Sequence, residues 1–230
     1  MKVLAIETST RAWRVAVLDG GQILAQRESN PNLPISKTLL PQIQAVIVSA
    51  GLSPDRLDLI AVSQGPGAFT GLRVGITAAK TLAYAVGCPL VACSSLEVLA
   101  AAVAVANDWQ ADQEICAIIG AQRGEFYFGR FRFRSPWAAE LVSPVTIKTP
   151  QELAAEFWSE TLLTGPALLH WTPTTNTPLA DRILWQPDAS VLGQLAQHQF
   201  QRGVSHDPFA LVPEYVRPSY AEEKKPPFPV

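Results

Sequence analysis

The residues best suited to chemistry fall in two short stretches. Glu7-Thr8-Ser9-Thr10, at the end of the first apolar run, gathers one carboxylate and three hydroxyls. In a nucleotide-handling site such a turn could contact phosphate or a magnesium-bound water. Equally, Thr8 and Ser9 could satisfy backbone groups at a strand end, and residue types alone do not separate the two. The second stretch is Gly65-Pro66-Gly67-Ala68-Phe69-Thr70-Gly71-Leu72-Arg73-Val74-Gly75, with glycine at 65, 67, 71 and 75. So many glycines between a strand and a helix let the backbone come close to something. That is either an anion, held by the unpaired N–H groups and positive dipole end of the helix, or a neighbouring element on which the helix packs. The stretch has no Gly-Lys-Ser/Thr, and its Gly-x-Gly-x-x-x-Gly spacing misses the dinucleotide fingerprint by one residue. No acidic residue closes the following strand, as a dinucleotide site would require. Spacing therefore favours packing, with Glu7, Thr8, Ser9, Thr10, Gly65 and Gly67 as the candidates for any phosphate contact.

Other chemistries find little material. Cys88, Cys93 and Cys116 include no Cys-x-x-Cys pair, so neither a disulfide framework nor a cysteine zinc site is indicated. His170, His198 and His206 form no His-x-x-x-His or His-Glu-x-x-His pair, the spacing of a helical metal site. No metal is expected. No serine or cysteine lies in a recognisable nucleophile motif, which argues against a peptidase. Strand alternation along 126–134 sets Arg130, Arg132 and Arg134 on one face and Tyr127, Phe131 and Phe133 on the other. Such a row could meet RNA phosphate or an acidic partner, although a solvated sheet face is its commoner cause.

The elements that must position these residues are bounded by composition. A chain of 230 residues holds one large domain or two small ones. With 48% apolar and 17% charged residues it reads as globular, neither disordered nor coiled coil. A net charge of −2 lacks the basic excess that nucleic-acid binding draws on, so any RNA would be held mainly by a partner. The longest apolar stretch, Val98 to Ala106, is far shorter than the roughly 20 residues of a membrane span. Lys2 precedes too short an apolar run for a secretory signal, and a cytoplasmic protein is expected.

Strand-like runs at 1–7, 13–18 and 22–29, the last two joined by Asp19-Gly20-Gly21, predict an antiparallel meander. Leu39, Leu40, Ile43, Val46 and Ile47 recur at helical spacing within 37–50, with Pro41 in the first turn or so. A strand at 57–62 leads through the glycine stretch into a helix over 70–86, ended by Gly87. A strand at 89–93 and a helix from an N-cap at Ser95 to about Ala106 follow. The polar run 107–113 marks a boundary between a first lobe, 1–107, and a second, 108–216. There the spacing predicts strands at 115–120, 125–133, 141–147 and 161–164 and helices near 149–158 and 189–201, while 166–187 carries no clear pattern. Residues 217–230 read as an extended proline-rich tail. Each half runs from strands to helices, as a diverged duplication would. Within 70–86 the only charges are Arg73 and Lys80, so that helix is buried on more than one side, within this chain or against another subunit. Gly75, Ala78, Ala79 and Ala83 would permit close approach.

Three motifs carry a resemblance: Leu4-Ala5-Ile6-Glu7-Thr8-Ser9-Thr10, the Gly65 to Gly75 stretch, and Pro213-Glu214-Tyr215-Val216-Arg217. In them the chain resembles the TsaB (YeaZ) family of the actin-like ATPase and sugar-kinase superfamily. Phe69-Thr70-Gly71-Leu72-Arg73 is shared with the relative TsaD, and the short length without a histidine metal pair points to TsaB. The resemblance implies an α/β fold of two ribonuclease-H-like lobes, each with a mixed five-stranded sheet flanked by helices. It also implies a part in making N6-threonylcarbamoyladenosine (t6A) beside the anticodon of tRNAs that read codons beginning with A. In that reaction TsaD transfers the threonylcarbamoyl group with TsaB and the ATPase TsaE bound. TsaB is a scaffold without catalytic residues or an intrinsic cofactor, meeting tRNA through the complex, with any ATP or ADP at a subunit junction. It pairs with TsaD, or with itself, through helices of its first half. Carried over by position, the interface would include Leu39, Ile43 and Val46, and Thr70, Leu72, Arg73, Ile76, Ala79, Lys80 and Ala83. The rival is an ATP-dependent kinase or ATPase of the same superfamily, which needs a phosphate clamp from both halves, and only Glu7 to Thr10 supplies one. Two departures stand out. Ile35-Ser36 replaces a common His-Ser, and Gly120-Ala121-Gln122-Arg123 replaces a common Asp-Ala-Arg, which removes a carboxylate.

Overall fold

In strand β1 (Lys2–Glu7), Val3 and Ala5 face one way, Leu4 and Ile6 the other, and all four are fully buried. Such a strand must lie inside a sheet covered on both faces. The structure is a computed structural model that describes residues 1–30, 32–107, 114–155, 161–174 and 176–217. The expected polar boundary over 108–113, the end of the helix expected to reach 158, and the tail from 218 onward lie outside the described residues.

β1 pairs antiparallel with β2 (Arg14–Asp19), which pairs antiparallel with β3 (Gln22–Glu28) across a turn where Gly20 and Gly21 take positive φ. On its other side β1 pairs parallel with β4 (Leu59–Gly65), and β4 with β5 (Leu90–Ser94), giving the order β3-β2-β1-β4-β5. The helices are α1 (Ile35–Ser49), α2 (Phe69–Val86) and α3 (Ser95–Ala106). This meander followed by parallel crossovers is the ribonuclease-H-like arrangement. Leu4, Ile6, Ile60 and Val62 pack under Leu39, Ile43 and Val46 of α1 and Ile76, Ala79 and Ala83 of α2. Two local expectations shift. Pro41 sits in the second turn of α1, and the N-cap of α3 is Ser94, whose hydroxyl makes no capping bond.

The second sheet is built from β6 (Glu114–Gly120), β7 (Phe126–Ser135), β8 (Ala138–Leu141), β9 (Thr146–Lys148) and β10 (Leu162–Thr164), with α4 (Pro150–Ala155) between the last two. β6 lies between antiparallel β7 and parallel β10. The strand expected over 141–147 is instead two strands, because Pro144, with no N–H to donate, interrupts the ladder. β8 pairs with the end of β7 and β9 with its start, sharing one edge. The sheet has the five strands expected, filling four positions.

Two helices join the sheets. α3 is apolar almost all round, and nine of its twelve residues are buried, which requires packing on more than one side. Its Leu96, Leu99, Ala100 and Val103 pack with Ile115, Ala117, Phe131 and Phe133 of the second sheet, while Val98 joins Val3, Ala5, Leu59 and Ala61 of the first. α5 (Ala189–Gln201) follows the second sheet in the chain yet lays Ala189, Leu192, Leu195 and Ala196 on the first. α3 and α5 therefore form a shared layer behind both sheets. Among the described residues no helix is long and apolar enough to cross a membrane.

A polar cluster stitches this layer. Gln199 Nε2 of α5 donates to both carboxylate oxygens of Glu97, at 3.4 and 3.3 Å, and Gln199 Oε1 accepts from Cys93 Sγ at 3.6 Å. Burial pushes the Glu97 carboxyl up to about 7, against the opposing pull of Gln199 and Arg202. Between the ordinary 4.5 and about 7 the folded chain therefore holds a proton that the unfolded chain has released. Stability from this group is complete below that window and is lost as pH rises through it. Glu97→Gln should be more stable than the parent at pH 8 by about 1–2 kcal/mol in urea unfolding, with the gain vanishing near pH 4.5.

Candidate functional site

The turn after β1 is the seat of α2. Thr8 N donates to Ser63 Oγ of β4 at 3.0 Å, Ser9 N and Oγ donate to Glu7 Oε1 at 2.7 and 2.6 Å, and Ala68 N donates to Ser9 O at 2.7 Å. A Cβ on Gly67 would lie 2.3 Å from Ser9 O, on Gly71 2.2 Å from Thr8 O, and on Gly75 2.0 Å from Thr8 Oγ1. Spaced by four, these glycines line one side of the helix start and let it rest on the turn backbone. Close packing is what the motif accomplishes. Gly65, at φ +122, faces a different neighbour: its Cβ would lie 2.9 Å from Glu214 O.

Beside this seat a cleft of about 790 Å³ opens between the two sheets. Ser9, Thr10, Gly67 and Phe69 line its first wall, Gly120, Gln122, Tyr127 and His170 its second, and Glu214, Tyr215 and Arg217 its mouth. Of the six residues expected near phosphate, Ser9, Thr10 and Gly67 reach this cleft. Glu7 and Thr8 are fully buried and, with Gly65, do not line it. The reason lies in the strand: alternation puts Glu7 on the face of Val3 and Ala5, toward α5. There desolvation, the largest influence, raises its carboxyl above the ordinary range despite the bonds from Ser9, and nearby Asp188 adds to the rise. Glu214, itself raised by burial, is the one carboxylate among the described lining residues. The turn from Gly120 to Gln122 brings none. Among the described residues no group of three His, Cys, Asp or Glu side chains could hold a metal ion. Sequence reasoning missed Tyr127, His170 and Glu214 as neighbours in a cleft. The Pro213 to Arg217 motif was visible, but nothing local says that it returns to the start of α2.

The residues expected at a partner surface divide sharply. Leu39, Ile43, Val46, Leu72, Ile76, Ala79 and Ala83 are buried inside this chain, because the apolar stripe of a helix marks the face that covers its own sheet. Thr70 and Arg73 are exposed and Lys80 half-buried. Both charges are engaged: Arg73 Nε donates to Tyr215 Oη at 2.8 Å with its guanidinium 3.9 Å from the Phe69 ring centre, and Lys80 Nζ donates to Leu211 O at 2.8 Å. Facing outward instead is an apolar groove of about 430 Å³ between α1 and α2, lined by Leu40, Gln44, Val48, Ala78, Thr81 and Ala85 among others. Leu40 and Val48 are 64% and 66% exposed. The arginine row of β7 is satisfied within its own sheet, Arg130 and Arg132 by Glu114 at 3.3 and 2.6 Å, and Arg134 by Glu140 at 2.8 Å.

The glycine seat makes a direct prediction. Gly71→Ala and Gly75→Ala should each destabilise the fold by about 1–3 kcal/mol or more, since backbone or a buried hydroxyl must move. Gly120→Ala, with nothing within 4 Å of the added atom, should leave the denaturant midpoint nearly unchanged. Chemical denaturation of the three variants compares them.

A family model described as "TsaD: tRNA N6-adenosine threonylcarbamoyltransferase" matches residues 34–160. The chain is 28% identical to the tRNA threonylcarbamoyladenosine biosynthesis protein TsaB of Bacillus subtilis, covering 97% of each protein. It is 27% identical to the protein of the same name from Haemophilus influenzae, covering 98% of each. YeaZ from Pseudomonas aeruginosa has a similar structure, with a TM-score of 0.78 at 26% identity over 93% of this chain and 99% of that one. With the glycine seat and both sheets in place along its length, the chain belongs to the TsaB (YeaZ) family, within the TsaD-type group that the matching model describes.

Proposed function

We propose that this protein is a non-catalytic subunit in t6A synthesis that binds TsaD, with TsaE joining the complex. Its role is to support transfer of the threonylcarbamoyl group to the adenosine beside the anticodon of tRNAs reading codons that begin with A. The observation that carries the reading is the outward groove between α1 and α2, an apolar surface with Leu40 and Val48 uncovered, on the lobe formed by residues 1–107. A contiguous apolar groove with uncovered side chains is the kind of patch on which another surface docks. TsaD is the occupant that the kinship with TsaB proteins supports, and a second copy of this chain would compete for the same groove. The near-neutral charge suits a subunit that leaves the tRNA to its partner, in the cytoplasm. The donor set of the cleft supports the same reading: an ATP-dependent kinase or ATPase would need carboxylates facing the cleft from both halves, and Glu7 is turned away.

Reconstitution tests the role. With TsaD, TsaE and the enzyme that makes threonylcarbamoyl-adenylate, t6A should form on unmodified tRNA only when this chain is added, and the chain alone should turn over no nucleotide. Product formation that is indifferent to the chain would overturn the reading.

The surface has its own test. Leu40→Asp and Val48→Asp should weaken TsaD binding at least about tenfold, by setting an unpaired charge in an apolar contact, without changing the thermal midpoint. Leu72→Glu and Ile76→Glu should instead unfold the chain. Calorimetric titration with TsaD and a melting curve separate the two classes, and unchanged affinity in both groove variants would move the interface elsewhere.

A further inference from the structure

The segment from Leu211 to Arg217 belongs to neither lobe's sheet yet touches both. At its start Leu211 is buried among the residues under α1 and α2, and its carbonyl accepts from Lys80 Nζ of α2. Its backbone then runs beside the end of β4: Gln64 Nε2 donates to Val212 O at 3.0 Å, and Glu214 N donates to Gln64 O at 2.9 Å. The absent side chain of Gly65 leaves room for Glu214 O. Tyr215 stacks on Phe69, with ring centres 5.4 Å apart, and takes the bond from Arg73. These contacts fix the stretch to the first lobe.

Two residues on, the chain has crossed to the second lobe. Arg217 forms an ion pair with Glu125 and its Nη1 donates to Gln122 O at 3.4 Å. Gln122 and Glu125 flank the tight turn between β6 and β7, where Arg123 and Gly124 take positive φ. Glu214, Tyr215 and Arg217 line the cleft between its two walls. Behind the cleft the lobes are joined by buried apolar packing of α3 and α5. In front, the described contacts that cross it from this segment are those of Arg217.

We propose that residues 211–217 are a strap across the mouth of the cleft, with the Arg217–Glu125 ion pair as its catch and the α3–α5 layer as the hinge. Two lobes around a cleft can move relative to each other by small sliding of packed helices, and a few residues then suffice to hold the closed state. Side-chain exposures of 17% and 26% at Arg217 and Glu125 leave this pair less screened than a surface pair. Releasing it frees the strap end while the first-lobe contacts stay. The lobes then separate at the front and the cleft opens. This reading does not depend on the partner or role proposed above.

Spin labels on opposite walls test it in the full chain. Arg11→Cys and His170→Cys, both exposed and lining the cleft, are introduced together with Cys88→Ser, and the interlabel distance is read by pulsed electron resonance. One short distance is expected with the catch intact, and a second, longer population in Arg217→Ala, with the melting transition still cooperative. The charge-reversed pair Glu125→Arg with Arg217→Glu should return the distribution to the short distance. If Arg217→Ala unfolds the chain, Glu125→Gln serves in its place. An unchanged distribution when the catch is broken, or a longer population that the reversed pair does not remove, would overturn the strap.

Discussion

The approach of α2 to the backbone of Thr8 and Ser9 is the constraint on which the rest of the molecule turns. Main chain can lie that close to main chain only where no side chain intervenes, and Gly67, Gly71 and Gly75 clear the path. Once α2 is seated there, one side covers β1 and β4 through Ile76, Ala79 and Ala83. Its start edges the cleft, its outer side makes the groove with α1, and its two charges hold the strap. Moving the seat by an ångström would shift all four. A glycine motif that resembles a phosphate loop is thus a packing device, and the anion-binding potential of the helix start is partly spent on Ser9 O.

The second constraint is the shared helical layer. Two sheets that each need cover on both faces are served economically by one shared pair of helices behind them, which is why α3 is apolar almost all round and why α5 returns to the first sheet. Burial on this scale is costly for any polar group caught within it. Glu7 and Glu97 are both caught, one bonded by Ser9 and the other by Gln199. In each the carboxyl is held above its ordinary range by desolvation. Such a group is poorly placed to hold a cation or shuttle a proton in an open cleft. The same burial that makes Glu7 look special in sequence withdraws it from chemistry.

Much of the architecture was legible because it follows local rules. The meander at the start, the αL glycine that ends α2, and the helical spacing of α5 rest on period and turn residues that act within a few positions, whereas the Asp188 cap of α5 emerges only in the structure. The two-sheet fold followed from those elements and from the family resemblance. What stayed hidden is what depends on distant partners. No nearby residue says that β8 and β9 will share one edge of β7, or that a helix encoded after the second sheet will pack on the first. The cleft is harder still, since Ser9, Gln122, His170 and Tyr215 come from four separate stretches of chain.

The proposed partner surface shows why periodicity finds cores better than interfaces. An apolar residue at helical spacing scores the same whether it covers its own sheet or awaits another molecule, and the stronger stripe belongs to the sheet because that contact is permanent. In α1 the stripe Leu39, Ile43, Val46 and Ile47 is the buried one, while Leu40 and Val48, one position later at each end, stand exposed. The surplus is the signal: a helix with more apolar residues than its own sheet can cover has a second face to account for. Thr81 and Ala85 on α2, small or weakly polar where a solvated helix would carry charge, are the other half of that surplus. With Arg73 and Lys80 both committed to the strap, the groove side of α2 carries no charge among its described lining residues. A face so depleted of charge has little to hold water in place, and that favours a docking surface over a solvated one.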